Sequence, residues 1–271
     1  MKTYDSLLYG KLDEPENFME LLEVILKSKI NVSDPDVSYW RGQSNIDWKL
    51  NPSIVRRILL SDRKINEEKI DEYIFTCEDN LLQRAKKNYY DYDGHGRLLG
   101  DLELLAKLQH QGAATRLLDF SKNVLIALWF CVSDTENRER VGVLFGLNTE
   151  AFAGPLENVF DFQADYSTFF ERVCSSKKIW MIDAPNVVSR VFSQSSVFLC
   201  SKSVSTNHGY FILPDDERYK KIIAISPSLK ASCLKILSEC FNITPYTIFP
   251  DIEGFSKANS AQWKINEFDR W

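Results

Sequence analysis

The sequence is short of histidine, of paired cysteine, of long apolar runs and of positive charge, and each shortage removes a class of protein. Three histidines, and six cysteines with no C-x-x-C spacing, give no pattern for a structural zinc site, so no metal is expected. Cys77, Cys131, Cys174, Cys200, Cys233 and Cys240 are scattered along the chain and read as buried thiols rather than a disulfide frame. The richest apolar run, Val124 to Val132, has nine residues, well short of the roughly 20 a membrane helix needs. Met1-Lys2-Thr3-Tyr4-Asp5 enters no apolar signal region. A cytoplasmic location with no membrane partner is the expectation. The net charge of −5 shows no overall basic footprint for nucleic acid, although a local positive groove on an acidic protein would still admit one. The phosphate loop G-x-x-x-x-G-K, the dinucleotide fingerprint G-x-G-x-x-G, the zinc-protease motif H-E-x-x-H and the nucleophile elbow G-x-S-x-G are all missing.

What is present is ordinary in bulk and unusual in detail. With 271 residues, 44% apolar and 26% charged, the chain has ample material for a core. No repeat, low-complexity stretch or flexible linker divides it, so a single domain over 1–271 is expected. Helical spacing predicts helices over Pro15–Lys29, Leu50–Arg57, Asn66–Tyr89, Asp101–Gln111, Ser121–Ser133 and Pro227–Cys240. Ser226 and Pro227 form a helix start, and Asn242 a stop. Short β-like runs fall at Val37–Arg41, Val141–Leu147, Asn158–Phe162, Lys178–Ile182, Val197–Ser201, Gly209–Leu213 and Lys221–Ile225. Helices early and strands late argue for an α+β fold, with a helix-rich N-terminal half packed on a mixed, largely antiparallel sheet from the C-terminal half.

Two polar islands stand between apolar flanks. The first is Tyr39-Trp40-Arg41-Gly42-Gln43-Ser44 and the second Gln109-His110-Gln111-Gly112-Ala113-Ala114-Thr115-Arg116-Leu117-Leu118-Asp119. Burying an ion among amides is costly unless each group finds a partner. In the first island a strand delivers Arg41, whose planar fork suits phosphate. Gly42 lets a ligand approach the backbone, and Gln43 and Ser44 add neutral polar groups. A structural Arg paired with a buried carboxylate explains the same residues equally well. In the second island Gly112 follows a helix end, where positive φ is often required. Arg116 and Asp119 are close enough to pair, and Asp119 or Ser121 suits the cap of the next helix. His110, with an ordinary pKa of about 6.5, is a candidate acid or base, or else a hydrogen-bonded structural residue.

Two weaker clusters follow. Arg190 and Gln194 sit in an apolar, aromatic run. Asp251 and Glu253 sit in a turn, where Asp251 suits a helix cap and Glu253 is a carboxylate beside Gly254.

Together these segments resemble the FRG domain family. Trp40-Arg41-Gly42-Gln43-Ser44 matches its F/W-R-G-Q-S, and Trp48, Leu50 and Pro52 its W-x-L-x-P. Gln109-His110-x-Gly112-x-x-Thr115-Arg116-Leu117-Leu118-Asp119 matches its Q-H-x-G-x-x-T-R-L-L-D, and Asn123 with Ala127-Leu128-Trp129-Phe130 the helix that follows. Arg190, Gln194 and Phe198 are similar to a later motif, with Ser196 where the family usually has Gly. Phe249-Pro250-Asp251-x-x-Gly254 resembles the closing one. The resemblance runs from about Tyr39 to Gly254. It implies a bacterial or phage-related protein with a role in conflict or phage defence, and one shared site.

Two functions follow from the resemblance. The Arg-Gly after a strand is similar to the first motif of ADP-ribosyltransferases, which implies a nucleotide-binding protein that takes NAD as substrate. Arg41 would clamp phosphate, Gln43 and Ser44 would orient ribose, and His110 and Arg116 would complete the pocket with Gly42, Gln109, Thr115, Asp119, Arg190 and Gln194. His110 and Glu253 would be its catalytic groups, Glu253 stabilising the positive charge that develops as nicotinamide leaves. The Ser-Thr-Ser strand and E-x-E pair of that superfamily are absent. The alternative is a non-enzymatic sensing module of a defence system in which the same groups bind a nucleotide, a nucleic-acid end or a phage component, and which signals by association with an unknown protein partner. A hydrolase with His110 as base and Asp119 as its orienter is a third reading.

Overall fold

The strand Gly142–Asn148 shows how one short segment organises the molecule. Every residue in it is buried. Leu144 points to a helical layer, while Val143, Phe145 and Leu147 point to the other face of the sheet, as the two-residue period of a strand requires. A computed structural model describes residues 1–30, 37–61, 66–148, 164–182 and 189–258. The elements run β1 (Lys2–Ser6), β2 (Gly10–Glu14), α1 (Phe18–Ile30), β3 (Val37–Gln43), α2 (Ser53–Leu59), α3 (Ile70–Lys87), α4 (Asp101–His110), β4 (Leu118–Ser121) and α5 (Val124–Val132). Then come β5 (Gly142–Asn148), α6 (Tyr166–Ser175), β6 (Ile179–Ile182), α7 (Ser189–Ser193), β7 (Ser196–Ser201), β8 (Lys220–Ile225), α8 (Pro227–Phe241), α9 (Pro245–Ile248) and α10 (Ile252–Ala258).

The fold is α+β, built on a mixed sheet of eight strands ordered β1-β2-β8-β5-β3-β4-β7-β6. The pair β2–β8 is parallel and the other six are antiparallel. The division by halves holds only loosely, because β1 to β4 come from the first half of the chain. On one face α5, α1 and α8 bury Leu21, Ile126, Leu128, Cys233 and Leu237 against Trp40, Leu144, Ile223 and Ile225. A separate core joins α3, α4 and α6 to Phe198 and Cys200 of β7.

One feature of the sheet positions the site. The strands β3 and β5 share six register pairs, and β4 and β7 share four. Strands β3 and β4 meet only at Trp40 and Ser121. The five-strand and three-strand parts of the sheet are thus joined by one pair, beyond which their edges diverge.

Several sequence expectations change. The strand β3 continues through Gln43, so Arg41 and Gly42 lie inside it, opposite Phe145 and Leu144, rather than at its end. Residues 118–121 form strand β4 rather than the start of the next helix. The cap of α5 is Asn123, whose side chain accepts the Leu125 N–H, so neither Asp119 nor Ser121 has that role. Gly209–Leu213 is irregular apart from a bridge between Thr206 and Gly209, and it is tied down by Phe211 N–H to Leu50 O. The hairpin β1–β2 was not anticipated. Cys77 and Cys240 are exposed and Cys174 half-buried, so the thiols are not uniformly core residues. The strand expected over 158–162 lies outside the described residues. Ser226 accepts Leu229 N–H as a cap, and Asn242 ends α8 in the left-handed region at φ 54°. Among the described residues no helix is long and apolar enough to cross a membrane.

Candidate functional site

The first island reaches the split edge through β3, whose residues alternate between faces. Gly42 faces α5. A Cβ there would lie 2.0 Å from Ala127 O and 2.7 Å from Cys131 N. The missing side chain therefore seats a buried helix against the strand, a different need from the ligand approach expected of it. Arg41 faces the other way. Its Nη1 donates to the Asp119 backbone carbonyl at 2.7 Å, bridging β3 and β4 where their ladder has stopped. Its Nε is buried without a hydrogen-bond partner, and it forms no ion pair with any described carboxylate. Burial lowers its proton affinity from the ordinary arginine value, the Asp119 carboxylate opposes that, and Arg56 adds to the lowering.

Gln43 and Ser44 serve the walls. Gln43 Nε2 donates to Trp48 O at 3.1 Å, and the Tyr9 hydroxyl donates to the same oxygen at 3.3 Å. Both lone pairs of one carbonyl are thus used to hold the loop carrying Asp47, Trp48 and Lys49. Ser44 donates to Asp134 at 2.8 Å, and its carbonyl accepts the buried ammonium of Lys230.

The second island divides at Thr115. Its hydroxyl accepts Leu117 N–H at 3.1 Å and donates to Gln109 Oε1 at 2.7 Å. That fixes which end of the Gln109 amide is the donor, and Nε2 donates to Asp119 Oδ2 at 3.0 Å. The relay Thr115–Gln109–Asp119 fixes a carboxylate at the split edge, beside Arg41. His110 packs edge-on to Phe198 with ring centroids 5.0 Å apart, and its Nε2 is buried without a hydrogen-bond partner. Burial holds its pKa below the ordinary value against the opposing pull of Asp119, so the ring is neutral at pH 7.

Arg116 turns the other way. Its Nε donates to Glu78 Oε2 at 2.9 Å and its backbone N–H to Glu78 Oε1 at 2.5 Å. The Tyr166 hydroxyl also donates to Glu78 Oε2, and the Phe170 ring lies 4.7 Å from the guanidinium. The expected pair of Arg116 with Asp119 is replaced by this buried pair with Glu78, because Asp119 belongs to the strand edge and Arg116 to the core beneath α3 and α6.

Arg190 grips Asp251 through Nε and Nη2 and donates from Nη1 to His110 O at 3.2 Å. Asp251 also caps α10 by accepting Gly254 N–H at 2.8 Å. Gln194 donates from its side-chain amide to Ile248 O at 3.2 Å, and its backbone carbonyl accepts the Ser121 hydroxyl at 2.7 Å. These bonds tie the last motif to β4 and β7.

The result is one cavity of about 630 Å³ at the split. Arg41, Gly42, Gln43, Ser44, Gln109, His110, Asp119, Arg190 and Gln194 all line it. Thr115 supports it from behind through Gln109, and Arg116 lies outside it. Glu253 falls in α10, with its side chain outside the described residues. Sequence reasoning missed Lys49, Asp47 and Arg56 at the mouth, and did not assign Phe130 or Phe249, which also line the cavity. A composition scan sees those charges only as a solvated face. Phe130 and Phe249 were visible as parts of motifs.

The fold is thus a mixed-sheet α+β arrangement with a polar cavity where the two parts of its sheet meet, holding the Arg41 guanidinium beside the positioned Asp119 carboxylate. Residues 36–140, which carry both islands and α5, match the family model of the FRG domain, and the chain contains an FRG domain. The cavity is completed from outside that match by Arg190, Gln194, Ser196 and Phe249. No curated protein matches the chain, and no solved structure does.

Proposed function

We propose that the cavity binds a phosphate-bearing nucleotide such as NAD and acts on it by ADP-ribosyl transfer. One observation carries the reading: Arg41, with a backbone carbonyl and no carboxylate as its partner, lines the same cavity as the Asp119 carboxylate held by Gln109. A guanidinium in that setting favours an anionic ligand, and phosphate accepts two parallel bonds from it. The volume lies in the range of small-molecule sites. Phe130 and Phe249 offer aromatic surface for a planar base.

On this reading the carboxylate chemistry falls to Asp119. When the bond from nicotinamide nitrogen to C1′ of ribose breaks, the electron pair leaves with nicotinamide and positive charge develops on the ribose. Asp119 stabilises that charge as a fixed anion, and an acceptor nucleophile then bonds to C1′. It takes the role first given to Glu253. His110, neutral with an open Nε2, supplies a hydrogen-bonding group to the ligand.

The test is to incubate the purified chain with NAD and candidate acceptors, nucleic acid and protein included, and to measure nicotinamide release. Arg41→Gln is expected to lose binding while remaining folded. Saturable NAD binding with no nicotinamide release under any acceptor would discard the transferase and favour a sensing module. Absence of NAD binding would discard the nucleotide reading.

A further inference from the structure

The mouth of the cavity carries two further cations. Arg56 lies in the last turn of α2, exposed, and Lys49 lies on the loop held by Tyr9 and Gln43; both line the cavity. Neither forms an ion pair with a described carboxylate. Arg56 and Arg41 line one cavity with Asp47 and Asp119, and Arg56 lowers the proton affinity of Arg41 by less than Asp119 raises it. Like charges held on one space repel unless an anion lies between them. A single phosphate would satisfy the inner cation. Two linked phosphates would satisfy both, because they place a second negative charge a few ångströms from the first.

We propose that Arg41 and Arg56, with Lys49 beside them, form a clamp for a diphosphate, and that the cavity therefore selects nucleoside diphosphate compounds over monophosphates. The proposal rests on the nucleotide reading above and narrows its substrate class. The inner phosphate bonds to Arg41. The outer phosphate bonds to Arg56 and Lys49, whose exposed side chains close over it at the mouth. Exposed cations without partners are also the groups whose loss disturbs the fold least.

Binding of ADP-ribose, AMP and inorganic pyrophosphate to the full chain, by calorimetry, tests this. ADP-ribose is expected to bind at least about tenfold more tightly than AMP, and pyrophosphate to compete with it. In Arg56→Gln the preference is expected to vanish, with ADP-ribose weakened about tenfold and AMP changed less than about twofold. Equal affinity of AMP and ADP-ribose for the unaltered chain overturns the clamp and leaves the nucleotide reading intact. So does an Arg56→Gln variant that weakens both ligands alike. If neither ADP-ribose nor AMP binds, the nucleotide reading itself has failed and the clamp falls with it.

Discussion

Replacing Gly42 by alanine tests the reasoning about how the cavity is built. The added Cβ would stand 2.0 Å from Ala127 O, 2.7 Å from Cys131 N and 2.8 Å from Cys131 Cβ. These atoms belong to one turn of α5, where a residue's N–H bonds the carbonyl four places earlier. No flexible side-chain end is available to swing aside. Relief requires α5 to move outward by an ångström or more. That helix buries Ile126, Ala127, Leu128, Trp129, Cys131 and Val132, and a gap of about 0.5–1 Å forfeits a quarter to a half of each contact's attraction. Overpacking commonly costs about 1–3 kcal/mol, and a clash with helix backbone belongs at or above the top of that range. The expected loss is about 3–5 kcal/mol, or a fall in Tm of roughly 6–20 °C for a chain of this size. Gly112→Ala is the matched control. Gly112 has φ +87° and nothing within 4 Å of an added Cβ, so it carries only the backbone penalty of about 1–2 kcal/mol. Urea melts of both variants decide the matter. A Gly42→Ala protein as stable as Gly112→Ala would refute the packing account and return Gly42 to a ligand-approach role.

The other predictions address the charges. Asp119→Asn keeps an acceptor for Gln109 and is expected to stay folded, while nicotinamide release falls about 100-fold or more; full release by the variant would remove Asp119 from the chemistry. Glu78→Gln leaves the Arg116 guanidinium buried at 2% exposure without its counter-charge, and a loss of about 3 kcal/mol or more in urea unfolding is expected; a loss under about 1 kcal/mol would contradict it. His110 and His208 are both held below the ordinary histidine pKa, chiefly by burial. Their unfolded forms therefore take up protons first as pH falls, so their contribution to stability is complete above about pH 6.5 and is lost as pH drops through their folded values. The urea midpoint should fall between pH 8 and pH 5.5, and should fall less in His110→Gln; an unchanged slope in that variant argues against a neutral buried His110.

The islands were legible because they break the local rule that polar groups avoid apolar neighbours, and the same breach runs through Arg190 and Gln194. Their convergence on one cavity followed only from the family resemblance and not from the residues themselves, because it depends on β3 and β4 meeting at one pair. The strand β4 is the four residues Leu-Asp-Phe-Ser, too short and too polar to announce itself beside a cap-like Asp119. The hairpin of β1 and β2 escaped for a similar reason. Lys-Thr-Tyr-Asp-Ser and Gly-Lys-Leu-Asp-Glu bury only Leu12 fully, so pairing rather than pattern makes them strands. Glu78 is 38 residues from Arg116 and stands in the apolar row Ile70, Ile74, Leu82 of α3, so its burial follows from helical spacing while its partner does not.

Three arginines from the motifs meet three different fates, and the comparison argues for function. Arg116 is 2% exposed and is answered by Glu78. Arg190 is 6% exposed and is answered by Asp251 in a two-point grip. A charge removed from water is tolerated when a counter-charge meets it, and each of these has one. Arg41 sits in the same protein, in part withdrawn from water, with a backbone carbonyl and no carboxylate as its hydrogen-bond partner. The Asp119 carboxylate favours the charged form of Arg41 from across the strands, but is turned to Gln109 and makes no ion pair with Arg41. A structural arginine at this place would be neutralised as the other two are. The missing counter-charge is the part of the site that an anionic ligand supplies, which is why loss of binding without loss of fold is the outcome expected of Arg41→Gln.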